Sequence, residues 1–113
     1  MRLAVAVLFG LGLAGGASMG APAVGPGPVD RGRQVAIATC AMCHAVERGG
    51  VSAAPRAPGF ASVEMQHTAG LEGRLADLTR SGHYGMPPVR LDPRQIADLL
   101  AYIESLSGAE RQR

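Results

Sequence analysis

The residues best suited to chemistry form one cluster, Cys40-Ala41-Met42-Cys43-His44, which contains both cysteines of the chain. Two residues between the thiols let each sulfur reach one of the two vinyl groups on neighbouring edges of a porphyrin. The next residue, His44, then falls under the iron, where an imidazole nitrogen can bind along the axis. The spacing predicts covalent attachment of one haem c through Cys40 and Cys43, with His44 as an iron ligand.

Three other chemistries use two cysteines at this spacing. A thioredoxin-like redox pair begins a helix after a strand, and the sequence predicts no strand before Cys40. A zinc site needs a second pair of ligands, and the chain has no further cysteine. A structural disulfide between Cys40 and Cys43 suits an exported protein and is the remaining alternative. Haem attachment is preferred to all three.

A haem iron that transfers electrons without binding substrates has a second axial ligand. Four downstream residues are candidates: Met65, His67, His83 and Met86. Met86 is preferred because a glycine precedes it and two prolines follow, which gives a stiff, extended path that can point one side chain at the ring face. Met65 and His67 lie in a polar stretch and are predicted to be on the surface. His83 and an open sixth site remain alternatives.

Short helices joined by loops are predicted to position these residues. Asp30 is an N-cap candidate, and a helix is expected from Arg31 to about Thr39, leading into Cys40. Residues 47–60 are rich in Gly, Pro, Ala and Ser, which predicts a loop.

Two further helices follow that loop. Thr68 is a candidate cap for a middle helix that ends at Gly82 and contains Leu71, Leu75 and Leu78 at helical spacing. Asp92 and Pro93 predict the start of the last helix. One face of that helix is apolar: Ile96, Leu99, Leu100, Ile103 and Leu106.

The N-terminal segment has the pattern of an export signal. Arg2 precedes the apolar run Leu3–Leu13, and Ala21-Pro22-Ala23 has the small-x-small form of a cleavage site. We expect a signal peptide over residues 1–23, with an uncleaved membrane anchor as the alternative. A linker that is neither helix nor strand is expected over 24–29, one domain over 30–107, and a polar tail over 108–113.

Composition limits the remaining possibilities. Removal of residues 1–23 leaves 90 residues whose only aromatic side chains are Phe60, Tyr84 and Tyr102. Such a small domain is marginal by itself, so a large apolar cofactor is expected to fill its centre. Ten arginines, no lysine and nine acids remain, spread along the chain. A nucleic-acid-binding surface needs clustered positive charge and is not expected.

The sequence resembles class I c-type cytochromes in their short bacterial, single-haem form, from Asp30 to about Leu106. The resemblance rests on Gly32 eight residues before Cys40, the Cys40–His44 motif, the Gly85–Pro88 segment and the last helix with its Leu91-Asp92-Pro93 start. It implies an all-α cytochrome c fold, with about three to four short helices wrapped around one covalently bound haem. It also implies that the first and last helices cross with Gly32 and Ala36 against Leu99 and Tyr102.

The resemblance assigns roles to two loop residues. In the family a proline carbonyl accepts a hydrogen bond from the haem histidine, and Pro58 is the first choice for it, with Pro55 second. Mitochondrial relatives commonly use a Trp against a propionate, and this chain has none. Arg56 is a candidate replacement, with an ordinary solvated loop arginine as the alternative. Only 41 residues separate His44 from Met86, so we expect a more exposed propionate edge.

The function implied is that of an electron carrier in the bacterial periplasm, without catalysis of its own, which passes single electrons between redox proteins. One alternative is a haem subunit of a larger dehydrogenase or oxidase. A weaker one is a ligand-binding or sensor protein with an open iron. Membrane association is expected only if the N-terminal segment stays uncleaved, and the sequence names neither the partners nor the oligomeric state.

Overall fold

Four helices make up the regular structure of the computed structural model, which describes residues 15–17, 19–69 and 72–108. They are α1 (Pro28–Thr39), α2 (Val63–Ala69), α3 (Glu72–Ser81) and α4 (Pro93–Gly108). In these described ranges, β-type pairing is limited to an isolated bridge between His83 and Met86. The prediction of an all-α fold with about three to four short helices is confirmed.

The start of α1 differs from the prediction. The N-cap is the extended Gly27, and Pro28 occupies the first turn, where its fixed φ suits a helix and its missing N–H costs nothing. Asp30 lies inside the first turn, where a carboxylate is favourable near the helix N-terminus. The expectation that residues 24–29 contain no helix is therefore wrong for Pro28 and Val29.

The middle of the chain also differs, because it contains two helices where the sequence predicts one. Thr68 lies inside α2 and does not cap α3. The predicted position of Leu71 lies outside the described residues. The predicted end at Gly82 is confirmed: its φ is +70° and its N–H donates to the Leu78 carbonyl oxygen at 2.9 Å.

The short helix α2 contributes to the core. Met65 is only 7% exposed and packs in the same cluster as Phe60 and Leu75, so its predicted surface position is wrong. The Gln66 side-chain amide donates to the Ile103 carbonyl oxygen at 2.8 Å and joins α2 to α4. His67 is exposed, as expected.

The last helix begins as predicted. Asp92 Oδ1 accepts a hydrogen bond from the Gln95 backbone N–H at 2.8 Å, and Gln95 Oε1 accepts one from the Asp92 N–H at 2.9 Å. This reciprocal pair is a capping box that satisfies two donors at the helix start. Leu100 is half-buried at the edge of the core. The fully packed side chains of α4 are Ile96, Leu99, Tyr102, Ile103 and Leu106.

The most extensive helix packing is between α1 and α4. A Cβ built at Gly32 would overlap the Asp98 carbonyl oxygen and lie 2.8 Å from Tyr102 Cβ. Glycine therefore lets the two backbones approach more closely than any side chain allows. The expected packing of Gly32 against Tyr102 is confirmed, while its nearest neighbour is the backbone of Asp98.

An ion pair lies beside this crossing. Arg31 Nε donates to Asp98 Oδ2 at 2.7 Å and Arg31 Nη2 to Oδ1 at 2.8 Å, a two-point contact between α1 and α4. The hydrogen bond from Arg31 holds the pKa of Asp98 below its usual value, so the carboxylate stays ionised. Arg31 Nη1 also donates to the Pro26 carbonyl oxygen at 2.8 Å, which fixes the chain just before α1.

Only part of the predicted signal segment and tail lies within the described residues. Residues 1–14 lie outside the described residues, as do 109–113, so most of the predicted signal segment and tail is not described. The described part of the signal segment, 15–17 and 19–23, is exposed and non-helical. Among the helices that the structure describes, none combines the length and the apolar character needed to cross a membrane.

Replacing Gly32 by alanine tests the crossing. The added methyl group overlaps the α4 backbone, and overpacking typically costs about 1–3 kcal/mol. We expect a melting temperature lower by several degrees, with the visible spectrum nearly unchanged, because a domain of this size shifts by roughly 4–8 °C per kcal/mol.

Gly73→Ala in α3 is the control for that variant. No atom lies within 4 Å of a Cβ at Gly73, so the change should be neutral or stabilising through helix propensity. Equal melting temperatures for Gly32→Ala and the wild type would contradict the close crossing.

Candidate haem site

The chain turns at the end of α1 and presents the cysteine motif there. The N–H of Cys40 still donates to the Ala36 carbonyl oxygen at 2.9 Å, and the N–H groups of Cys43 and His44 both donate to the Cys40 carbonyl oxygen, at 3.2 and 2.9 Å. Cys40 is buried, whereas Cys43 and His44 are half-buried. The two sulfurs are free and not joined in a disulfide. Helix α1 thus presents two thiols and an imidazole from one tight turn.

The environment of Cys40 opposes a redox-active thiol pair. Burial raises the pKa of the Cys40 thiol, and the hydrogen bond with Thr39 only partly offsets this. Reactive Cys-x-x-Cys thiols have lowered pKa values, because the thiolate is the nucleophile. The Cys40 thiol is therefore less readily ionised than the reactive thiols of such pairs.

The ring of His44 is oriented by one hydrogen bond. Its Nδ1 lies 2.8 Å from the Pro58 carbonyl oxygen. A carbonyl oxygen only accepts, so Nδ1 carries the proton and Nε2 keeps its lone pair. The ring also lies against the buried Phe60, with 5.5 Å between ring centroids. This is the bond that the resemblance assigns to Pro58, and it leaves Nε2 as a metal-binding nitrogen.

The loop that carries Pro58 is tied back to the cysteine turn. The Phe60 N–H donates to the Ala45 carbonyl oxygen at 2.8 Å, and the Ala45 N–H donates to Ser52 Oγ at 2.9 Å. The Ala54 N–H donates to the Cys43 carbonyl oxygen at 3.1 Å. The region predicted as a loop is thus held in one conformation by bonds to Cys43 and Ala45, on either side of His44.

A buried tyrosine in α4 holds the chain at Val46, two residues after His44. The Tyr102 hydroxyl of α4 donates to the Val46 carbonyl oxygen at 2.6 Å. Burial raises the pKa of Tyr102, which keeps the phenol protonated and able to donate. Neither this role of Tyr102 nor that of Ser52 is predicted from the sequence. The only sequence feature that indicates a special role for Tyr102 is that it is the single aromatic residue on the apolar face of α4.

The segment of Met86 is held by backbone contacts. The Met86 N–H donates to the His83 carbonyl oxygen at 2.8 Å, and the His83 N–H donates back at 3.2 Å. A Cβ at Gly82 would overlap the Met86 carbonyl oxygen, so this approach also requires glycine. The Val89 N–H donates to the Thr79 carbonyl oxygen at 2.7 Å and fastens the chain to α3 after the two prolines.

The remaining predicted site residues differ in exposure. Met86 is half-buried, whereas its alternative His83 is exposed, as are Arg56 and Pro55. The role of Met86 as the second axial ligand stays a prediction, as does the role of Arg56 at a propionate. Pro55 is the second choice for the bond to His44, and Pro58 makes that bond.

Comparison with known families agrees with this geometry. The family model described as cytochrome c matches residues 29–107. The chain belongs to the cytochrome c family. No curated protein and no solved structure was found to match it. The family assignment supports haem-based electron transfer by this cytochrome and implies haem c as its cofactor.

The residues of the cytochrome fit that cofactor. Haem c needs two thiols for its thioether bonds and one imidazole whose far nitrogen is free, and the turn after α1 provides these from Cys40, Cys43 and His44. Met86, the predicted second ligand, carries a thioether sulfur and is half-buried. When bound, haem c supplies an iron that gains and loses one electron. The orientation of His44 is already set by the protein, through Pro58.

Replacing Met86 by alanine tests the second ligand. Sulfur on ferric iron gives a weak near-infrared charge-transfer band, which the loaded wild type should show and Met86→Ala should lack. We also expect Met86→Ala to bind added cyanide or carbon monoxide, because loss of the side chain leaves a coordination position open.

Met65→Leu is the matched control, since it removes the other downstream methionine. Leucine is close in volume to methionine, so the buried site should lose less than about 1.5 kcal/mol and the band should stay. Persistence of the band in Met86→Ala would show that Met86 is not the ligand.

Proposed function

We propose that this cytochrome is an exported, single-haem electron carrier. In this proposal haem c is bonded to Cys40 and Cys43, and the iron is held by His44 and Met86. The protein itself catalyses no reaction and passes one electron at a time between larger redox proteins. A carrier of this kind requires an iron centre that is closed to substrates and an edge that other proteins can approach.

The observation that carries the proposal is the hydrogen bond of 2.8 Å between His44 Nδ1 and the Pro58 carbonyl oxygen. It selects the tautomer in which Nε2 binds a metal, and it limits rotation of the ring. A half-buried histidine N–H needs a partner in any case, and here that partner leaves Nε2 as the coordinating nitrogen beside two free thiols. The bond therefore supports an axial role for His44.

Several features support a closed iron site. Met86 is half-buried, and hydrogen bonds from His83 and Val89 hold the backbone around it. A thioether ligand favours ferrous iron and raises the reduction potential relative to two histidines. Iron with two protein ligands needs little rearrangement when its charge changes, which suits rapid electron transfer.

Export is proposed from the first 23 residues. The apolar run Leu3–Leu13 and the Ala21-Pro22-Ala23 segment have the pattern of a signal peptide. In bacteria such a protein acquires its haem and acts in the periplasm. Its donor and acceptor are redox proteins of that compartment.

Haem retention tests this proposal. Because two thioether bonds hold the group, haem should stay with the polypeptide through denaturing electrophoresis and extraction with acidified organic solvent. Deletion of residues 1–23 should prevent loading, because haem attachment takes place after export. Haem that is released from the wild-type protein by acidified solvent would refute covalent attachment.

Charge bears on how the carrier meets its partners. The mature polypeptide has ten arginines and nine acids, and the two haem propionates offset this small excess. Three of the arginines are paired with carboxylates of the fold: Arg31 with Asp98, Arg33 with Glu47 and Arg80 with Asp77. Long-range steering needs a larger imbalance or a dense patch of one sign. Docking is therefore proposed to rely on short-range contacts around the cysteine motif and the Gly85–Pro87 loop.

The rate of electron exchange between ferric and ferrous copies of the protein tests whether docking depends on long-range charge. The second-order rate should change by only a few-fold from low to high salt. Salt screens charges that are more than roughly 8 Å apart, and two copies of near-zero net charge interact only weakly over such distances. Nuclear magnetic resonance of mixed oxidation states gives the rate. A hundredfold change would reveal a charged patch at the docking face.

A further inference from the structure

The turn before Met86 has an unusual backbone. His83 and Met86 exchange both of their backbone hydrogen bonds across two residues, Tyr84 and Gly85. The φ angles of those residues are +43° and +86°, so both lie in the left-handed region. Two positive φ values in a two-residue loop define a type I′ hairpin turn, which favours Asn-Gly. Here tyrosine occupies the place that asparagine prefers.

Tyr84 is unfavourable at this position. It is the one non-glycine residue with positive φ in the described ranges of the chain. Bulky side chains rarely adopt that conformation, because Cβ lies too close to the carbonyl oxygen that follows it. Asparagine tolerates the same conformation, and glycine adopts it freely. The turn would form more readily without tyrosine.

The fold does not compensate for this strain by burying the ring. Tyr84 is 86% exposed, in contrast to the buried Phe60 and Tyr102. The ring of Tyr84 lies against that of His83, with 3.9 Å between centroids, and His83 is itself exposed. Backbone strain that no packing interaction offsets indicates a functional role.

The surroundings of Tyr84 along the chain indicate what it contacts. The exposed neighbours Gly85, Pro87 and Pro88 are uncharged, and the segment flanks the predicted ligand Met86. Tyrosine is enriched at protein interfaces, because its ring covers a large area while only two torsions need to be fixed. Ten arginines against nine acids after residue 23 also leave the chain with little net charge to attract a partner of opposite charge.

We propose that Tyr84 is the aromatic contact through which this cytochrome docks onto a second copy of the same chain during electron exchange. Two copies can approach closely because Gly85, Pro87 and Pro88 are exposed and uncharged, and because ten arginines against nine acids leave little net charge to repel a second copy. The proposal rests on the proposed function, because it needs Met86 at the iron beside an approachable haem edge. During contact one electron leaves the ferrous partner and enters the ferric one, and no covalent bond forms or breaks.

The experiment compares wild type with Tyr84→Asn, Tyr84→Phe and a control, Val51→Asn. Val51 is 93% exposed and lies outside the turn, so it tests whether any exposed apolar side chain has the same effect. The haem-loaded proteins are compared in electron exchange between their own ferric and ferrous copies. Oxidation by hexacyanoferrate, a small ion that needs no protein interface, reports on the iron centre alone.

We expect Tyr84→Asn to slow exchange between copies by about tenfold or more, the effect of losing one strong interface contact. Tyr84→Phe should retain the wild-type rate within a few-fold, because the ring makes the contact. Val51→Asn should not change the rate of exchange between copies. Oxidation by hexacyanoferrate should be the same in all four proteins.

Thermal unfolding gives a readout that does not involve electron transfer. Because asparagine suits a positive φ, Tyr84→Asn should melt at the same temperature as the wild type or higher. A lower melting temperature would mean that Tyr84 has a structural role and would overturn the proposal. Wild-type exchange in Tyr84→Asn would also overturn it.

Two further outcomes separate the remaining explanations. Tyr84→Phe as slow as Tyr84→Asn would assign the effect to the hydroxyl, for instance at a haem propionate, and would overturn a role for the ring. Failure of the proposed function looks different, since the wild type would then retain no haem or exchange no electrons.

Discussion

The close crossing of α1 and α4 at Gly32 is the constraint on which the haem-binding end of the protein depends. The backbone of Asp98 occupies the space that a side chain at residue 32 would need. From there α1 rises about 12 Å over eight residues to Cys40, which sets where the cysteine turn begins. Arg31 is the residue before Gly32, and its ion pair with Asp98 adds a directional contact to the crossing.

The two sides of the proposed iron site are built by different means. On the side of His44, hydrogen bonds from distant parts of the chain hold the segment: Pro58 orients the ring and Tyr102 of α4 binds Val46. Each bond exchanges water for a buried partner, and leaving such a partner unpaired typically costs about 1–3 kcal/mol. On the side of Met86, backbone conformation dominates, with positive φ angles at Gly82, Tyr84 and Gly85. A turn that depends on φ rather than on packing leaves its side chains exposed.

That difference bears on the docking role proposed for Tyr84. Cys40 and Val46, on either side of His44, are buried in the core, whereas Tyr84 is 86% exposed. Its ring can change without disturbing the contacts that hold Met86, which are made by backbone atoms of His83 and Thr79. The proposed docking by Tyr84 and the proposed iron ligation by Met86 would therefore be separable.

Much of the protein follows from local patterns in the sequence. The spacing of Cys40, Cys43 and His44 predicted haem attachment, because thioether bonds and an axial imidazole require residues that are close together along the chain. The end of α3 at Gly82 and the start of α4 at Asp92 were predicted for the same reason. Glycine conformation and helix capping depend on neighbouring residues. The all-α fold and its Gly32 crossing came from the family resemblance.

Other features were decided only by tertiary structure. Met65 was predicted on the surface because its neighbours in sequence are polar. In the structure, α2 places Met65 in the core with Phe60 and Leu75. The hydrogen bond of Tyr102 to Val46 joins residues 56 positions apart, and no local pattern encodes such a pair. The strain at Tyr84 is likewise invisible in the sequence, because positive φ is imposed by the His83–Met86 pairing and not by tyrosine itself. Local patterns thus predicted which atoms would bind haem, and long-range packing decided how the segments that carry those atoms are held.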